Sequence, residues 1–286
     1  MVNEFVIIKF LNLATTTMIP TPAQTGAVSR RGIQSIEVGG ALLRALVQNG
    51  AAMSLKDLAH AAGMPAAKAH AYLVSFGHLG LVIQDNVSGR YGLGHFALQM
   101  GLSALHGLDP VKAAIPIAAD LADRLHVNIA VAVWGNLGPT VVHIEEFSEQ
   151  IHVNMRPGTV MTPLLLTATG QCFAAFLPDR IATPWVDAEI NKRASGTQGQ
   201  LRMSAADAKI TLQDVRAHGM SRALGHPIPG INALSAPVFH HNGHIALAIT
   251  AMGPAAEFDA NWTGEPARQL QSCATKLSAT LGYTGR

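Results

Sequence analysis

The stretch SLKDLAHAAGMPAAKAHAYL, Ser54 to Leu73, constrains the chain most, because it encodes two short helices separated by a tight turn. Leu55, Leu58, Ala59 and Ala62 recur three or four residues apart, which sets them on one helical face. Gly63 stops that helix, since glycine takes a left-handed backbone conformation without steric cost. Pro65 suits the first turn of the next helix, where a missing N–H has no partner to lose. The second helix is expected to bury Ala69, Tyr72, Leu73 and Phe76 and to turn Ala66, Lys68, His70 and Ala71 outward, with small Ala59 letting the helices cross closely. This is a helix-turn-helix, whose second helix can lie in a DNA major groove.

The residues that follow sharpen the reading. Leu81, Val82 and Ile83 begin an extended run, Asp85 to Gly89 supply turn residues, and Arg90 and Tyr91 start a return strand that ends at Gly92. Such a hairpin forms a wing beside the recognition helix. A helix pair used only for packing is the competing reading, and the wing weighs against it.

At 286 residues the chain is long enough for two cores. Apolar residues make up 49% and charged residues 13%, which excludes a disordered chain, and a net charge of +2 requires any basic footprint to be local. Cys172 and Cys273 lie far apart in no ligand-like spacing, as expected for buried thiols in a reducing cytoplasm. The apolar run from Phe5 to Leu13 contains Lys9 and Asn12 and is too short to span a bilayer, so no membrane partner is expected. It reads as an upstream extension, with Met18 an alternative start, and residues 1–29 as a disordered arm. Arg30 and Arg31 end that arm, either to reach a phosphate or minor groove or merely to be solvated.

Residues 30–94 are therefore expected to form the winged domain, its first helix striped by Ile36, Leu42, Leu43, Leu46 and Val47. Phe96, Leu98, Met100, Leu102 and Leu105 mark a linker helix over 95–108. From 109 to 286 the pattern mixes helix and strand. Val111 to Leu125 is a helix; Val127–Trp134, Thr140–Phe147 and Ile151–Met155 are strands; Ser204 and Asp207 cap a helix to His218. Ala233–His240 and Ile245–Met252 form a hairpin around Asn242 and Gly243, a dipeptide suited to a two-residue turn, and a last helix covers Glu265 to Leu281. Strands without regular βαβ alternation argue for an antiparallel sheet flanked by helices, an α+β chain.

The motifs IQSIEVGGALLRAL, SLKDLAHAAGMP, KAHAYLVSF and SGRYGLG, followed by TPLLLTATGQCFAAFL, GINALSAPVF and ALAITAMGP, carry a resemblance to a known family. In their order and spacing the chain, from about Gly32 to Tyr283, resembles the IclR-type bacterial transcriptional regulators. The resemblance implies an N-terminal winged helix-turn-helix and a C-terminal effector-binding domain with a GAF-like fold. It also implies that amides at Ala168, Thr169 and Gly170 hold an organic acid and that Ala233, Thr250 and Met252 line its pocket. Chemistry agrees, because free N–H groups and the positive end of a helix dipole collect where Thr167–Gly170 open a helix. An ordinary helix cap is the alternative for that segment.

Arg156 in NMRPG either pairs with a second acidic group or is a surface arginine at a turn. The family often carries acidic residues ahead of its late strand, where this chain has ALGHPIPG with Ala223 and His226. A mostly apolar pocket with one anion end suits an aromatic or small hydrophobic carboxylic acid. The recognition helix also departs from the family, with Ala67 and Ala71 where serine and arginine are common. His240, His241 and His244 could hold a metal but are commoner as exposed turn residues. Glu145 and Glu146, on opposite faces of a strand, are poor partners for acid–base work.

Neither a phosphate loop nor a nucleophile elbow is present, so no enzyme and no cofactor are expected. Three functions follow in order of support: a cytoplasmic DNA-binding regulator responding to a small organic acid, a metabolite-binding protein with weakened DNA binding, and a metal-dependent enzyme. The expected DNA contacts are Arg30, Arg31, Lys68, His70, Ala71 and Arg90, on double-stranded operator DNA. Because one recognition helix reads few base pairs, a homodimer or dimer of dimers is expected.

Overall fold

The computed structural model describes residues 32–147, 155–195 and 204–285. Arg30, Arg31, the N-terminal arm and all of the expected third strand except Met155 lie outside them. The chain divides into two compact units, one ending at Leu102 and the other beginning at Ser103.

In the first unit, α1 (Gln34–Asn49), α2 (Leu55–Ala61) and α3 (Ala66–His78) pack around Leu42, Leu46, Leu58, Ala59, Ala69 and Leu73. Ser54 caps α2 by accepting from the Asp57 amide at 3.2 Å. Gly63, at φ 64°, turns the chain, and Pro65 stands one residue before α3 with extended backbone rather than inside its first turn. Tyr72 and Phe76 are half-buried beside Ala69 and Leu73, whereas Ala66, Lys68, His70 and Ala71 are exposed. Two members of the expected α1 stripe, Ile36 and Val47, are exposed instead, 69% and 60%. Within this unit α1 is covered on one side only, and these two residues lie off that side.

The wing is present as β1 (Val82–Gln84) paired antiparallel with β2 (Tyr91–Leu93). Met53 joins its edge through backbone bonds of 2.9 and 2.8 Å to Tyr91. Asp85 organises the tip, accepting from the Ser88 amide at 2.7 Å and the Ser88 hydroxyl at 2.6 Å. The Ser88 hydroxyl, foremost, holds the Asp85 carboxyl below its ordinary range. The unit boundary falls within α4 (His95–His106), none of whose residues is buried.

The second unit is built on a five-stranded antiparallel sheet, ordered β4 (Gly138–Glu145), β3 (Asn128–Gly135), β7 (Ile245–Pro254), β6 (Ile231–Phe239), β5 (Ser221–Leu224). Alternation along the strands sends Ile129, Val131, Leu234, Val238, Leu247 and Ile249 to one face. There they bury against α5 (Pro110–Leu125) and α9 (Glu265–Thr280). Arg124 ties those helices together, donating to Gln269 Oε1 at 2.7 Å and lying 3.3 Å from Cys273 Sγ. The opposite face carries α6 (Ala168–Phe176), with α7 (Asp179–Ser195) and α8 (Ala205–His218) packed on it. Ser204 and Asp207 form the expected reciprocal cap of α8. The β6–β7 loop differs from expectation. His240 N–H donates to the His244 carbonyl at 2.8 Å, so three residues, not two, make the turn, with Gly243 left-handed at φ 79°.

Candidate effector pocket and nucleic-acid interface

On the α6 face of the sheet a narrow pocket holds about 390 Å³ of space, part of it open to solvent. Its floor is Ala233, Thr250 and Met252 on β6 and β7, where Ala233 pairs with Met252 and Ser235 with Thr250. One wall is the start of α6, Thr167 to Thr169. Met155, Met161, Ala223 and Ile231 complete the apolar lining, and His226, Pro227 and Ile228 stand at its exposed mouth. Among these residues only His226 carries a titratable side chain.

The α6 start is held from behind. Glu189 on α7 accepts from the amides of Leu164 at 2.5 Å and Leu165 at 3.1 Å, which fixes the turn leading into Thr167. Thr167 caps the helix by accepting from the Gly170 amide at 2.9 Å. The amides of Ala168 and Thr169 have no partner among the described residues. Two free donors at a helix N-terminus, beside an apolar pocket, are of the kind to which a carboxylate can bind.

Five of the six expected pocket residues, Ala168, Thr169, Ala233, Thr250 and Met252, come together on this cavity; Gly170 does not. Its amide is already used by the Thr167 cap, and a Cβ there would clash with the Leu164 carbonyl, so two of the three expected amides are free at the start of α6. Met161 and Ile228 escaped the sequence reading because they come from irregular segments without periodicity. Ser235 was legible in principle, as a polar residue inside the apolar run ALSAPVF.

Arg156 lies exposed at a turn, its amide donating to Thr159 Oγ1 at 3.1 Å. Burial pushes the Cys172 thiol up to about 12, the value of an inert core cysteine. Among the described residues no three His, Cys, Asp or Glu side chains are placed to hold a metal. No helix of the described residues is long and apolar enough to cross a membrane.

In the first unit Lys68, His70 and Ala71 are exposed on α3, Lys68 and Ala71 as neighbours three residues apart. Arg90 is exposed, but its guanidinium turns back 3.3 Å from the Ala52 carbonyl, bracing the wing against the segment before α2. The described charges of this unit are four basic (Arg44, Lys56, Lys68, Arg90) against three acidic (Glu37, Asp57, Asp85), a faint basic footprint.

A winged helix-turn-helix and, in the second unit, a narrow pocket at a helix N-terminus are the plan of a DNA-binding transcriptional regulator. Two family models match, the IclR helix-turn-helix domain over residues 35–86 and the bacterial transcriptional regulator IclR C-terminal over residues 102–279. The chain belongs to the IclR family of bacterial transcriptional regulators. It is 30% identical over 258 residues to the glycerol operon regulatory protein of Streptomyces griseus, covering 88% of this chain and 98% of that one. The crystal structure of Pseudomonas aeruginosa HmgR is similar at 37% identity and TM-score 0.81, covering 89% of this chain and all of that one. Agrobacterium tumefaciens repressor BlcR, at 18% identity and TM-score 0.74 over 88% of this chain and 99% of that one, shares the fold.

Proposed function

We propose that this regulator responds to a small hydrophobic carboxylic acid seated in the pocket at the start of α6. The observation that carries the reading is the pair of partnerless amides at Ala168 and Thr169, opening onto a lining that is apolar apart from the hydroxyls of Thr167, Thr169 and Thr250 and His226 at its mouth. The division of labour assigns residues 30–94 to DNA, 95–108 to the linker and 109–286 to the effector, in a cytoplasmic homodimer or dimer of dimers. Exposed Phe96, Leu98, Met100 and Leu102 on α4 support self-association. Acid and DNA then affect each other through linkage between their sites.

A thermal-shift screen of carboxylic acids tests the pocket, since selective binding to the folded state raises Tm. Ala168→Pro removes one of the two donors at the first helical position, where proline is tolerated, and Thr167 before it already has the extended backbone that proline requires. A folded Ala168→Pro protein should lose at least about tenfold in acid affinity, the order of one charge-assisted hydrogen bond. Unchanged affinity places the anion elsewhere.

A second reading, metabolite binding with weakened DNA affinity, draws on the recognition face, where Ala66, Ala67 and Ala71 offer only methyl groups beside Lys68. A salt-dependent shift of an upstream DNA fragment separates the two readings.

A further inference from the structure

Behind the pocket three hydroxyls form a buried chain. Thr169, Thr250 and Ser235 are 1%, 1% and 0% exposed, and the first two line the pocket. Thr250 Oγ1 donates to Ser235 Oγ at 2.8 Å, and Thr169 Oγ1 lies 2.8 Å from Thr250 Oγ1. A hydroxyl has one proton to give. Thr250 has given its proton to Ser235, so in the second contact Thr169 is the donor. The chain therefore runs away from the pocket and leaves the lone pairs of Thr169 Oγ1 unanswered by any donor among the described residues. A buried oxygen in that state favours whatever brings it a proton.

The acceptor sits on the same residue as one of the two free amides. A ligand that satisfies both must carry a carboxylate and, next to it, a hydroxyl. We infer that the pocket selects a 2-hydroxy carboxylic acid over the parent acid and its methyl ether, with Thr169 Oγ1 as the residue that reads the hydroxyl. The inference rests on the acid reading of the same pocket. It adds to that reading which acids are preferred.

Calorimetric titration with two matched sets tests it: phenylacetate, mandelate and O-methylmandelate, and the smaller propionate, lactate and 2-methoxypropionate. A site built to hydrogen-bond a hydroxyl rejects the analogue lacking it, so in at least one set the hydroxy acid should bind about tenfold or more tighter than both others. In Thr169→Val that gap should close to within about threefold, and Thr169→Ser should restore it. Thr250→Val supplies a separate check, because it frees the Thr169 proton for the ligand, and the methyl ether should then gain on the hydroxy acid. Should Thr169→Val fail to fold, Thr250→Val carries the test alone. Equal binding of hydroxy and parent acids to the wild type overturns the hydroxyl inference while the acid pocket stands. If no acid of either set binds, the acid reading falls and takes the inference with it.

Discussion

Gly170 has no room for a side chain, because a Cβ there would clash with the Leu164 carbonyl oxygen and stand 2.5 Å from Thr167 Oγ1. Gly170→Ala should cost about 1–3 kcal/mol, the range of overpacked core sites, and displace the turn that presents the two amides. Chemical denaturation measures the first effect and acid titration the second; a stable variant with full affinity would contradict both. His240 gives a pH signature. Burial, and then the charges of His241 and His244, lower its pKa below the ordinary 6.5. The folded protein thus binds this proton less readily than the unfolded chain. The stability it contributes is present above the unfolded value and is lost as pH falls through the lower folded one. Tm should drop between pH 7.5 and 5.5, and His240→Asn should lessen the drop. An identical profile in the variant would assign the pH dependence to other groups.

The recognition helix α3 presents Lys68 as the one lysine or arginine on its exposed face. Lys68→Ala should weaken DNA binding and flatten the log–log salt dependence by about one unit. Ala71→Arg should do the reverse, tightening binding through an added phosphate contact without changing acid affinity. Gel-shift titrations at two salt concentrations decide it, and no gain from Ala71→Arg would mean that this face of α3 does not meet DNA. Elements of this kind were legible in the sequence, because apolar spacing, Gly63 and Pro65 all specify the same pair of helices. The wing and the α8 cap were legible for the same reason. α7 was not, since Pro184 interrupts its interior and helices are usually read as ending before proline. β5 has only four residues, too few for alternation to show. The sequence does not tell which amides at the start of α6 remain free, because that depends on what Thr167 caps, and the Gly170 amide is the one it takes. The hydroxyl chain was hidden for a related reason: Ser235 and Thr250 are neighbours only through the β6–β7 register.

At the scale of the whole molecule, a DNA-reading unit and a pocket-bearing unit occur in one chain, each with its own core. A dimer is expected from the few base pairs that one recognition helix spans and from the apolar residues exposed on α4. Sedimentation should give at least twice the 30.1 kDa chain mass, and a monomer at micromolar concentration would remove the paired half-site picture. The coupling proposed between the two sites is that one acid in the α6 pocket alters DNA binding by the same molecule. Its most direct test is fluorescence anisotropy of labelled upstream DNA, titrated with wild type and Ala168→Pro protein with and without saturating mandelate. Mandelate should change the wild-type Kd by about fivefold or more, the usual range of coupling between sites, and leave that of Ala168→Pro nearly unchanged. A wild-type Kd indifferent to mandelate, or a variant that responds as fully as the wild type, would contradict it.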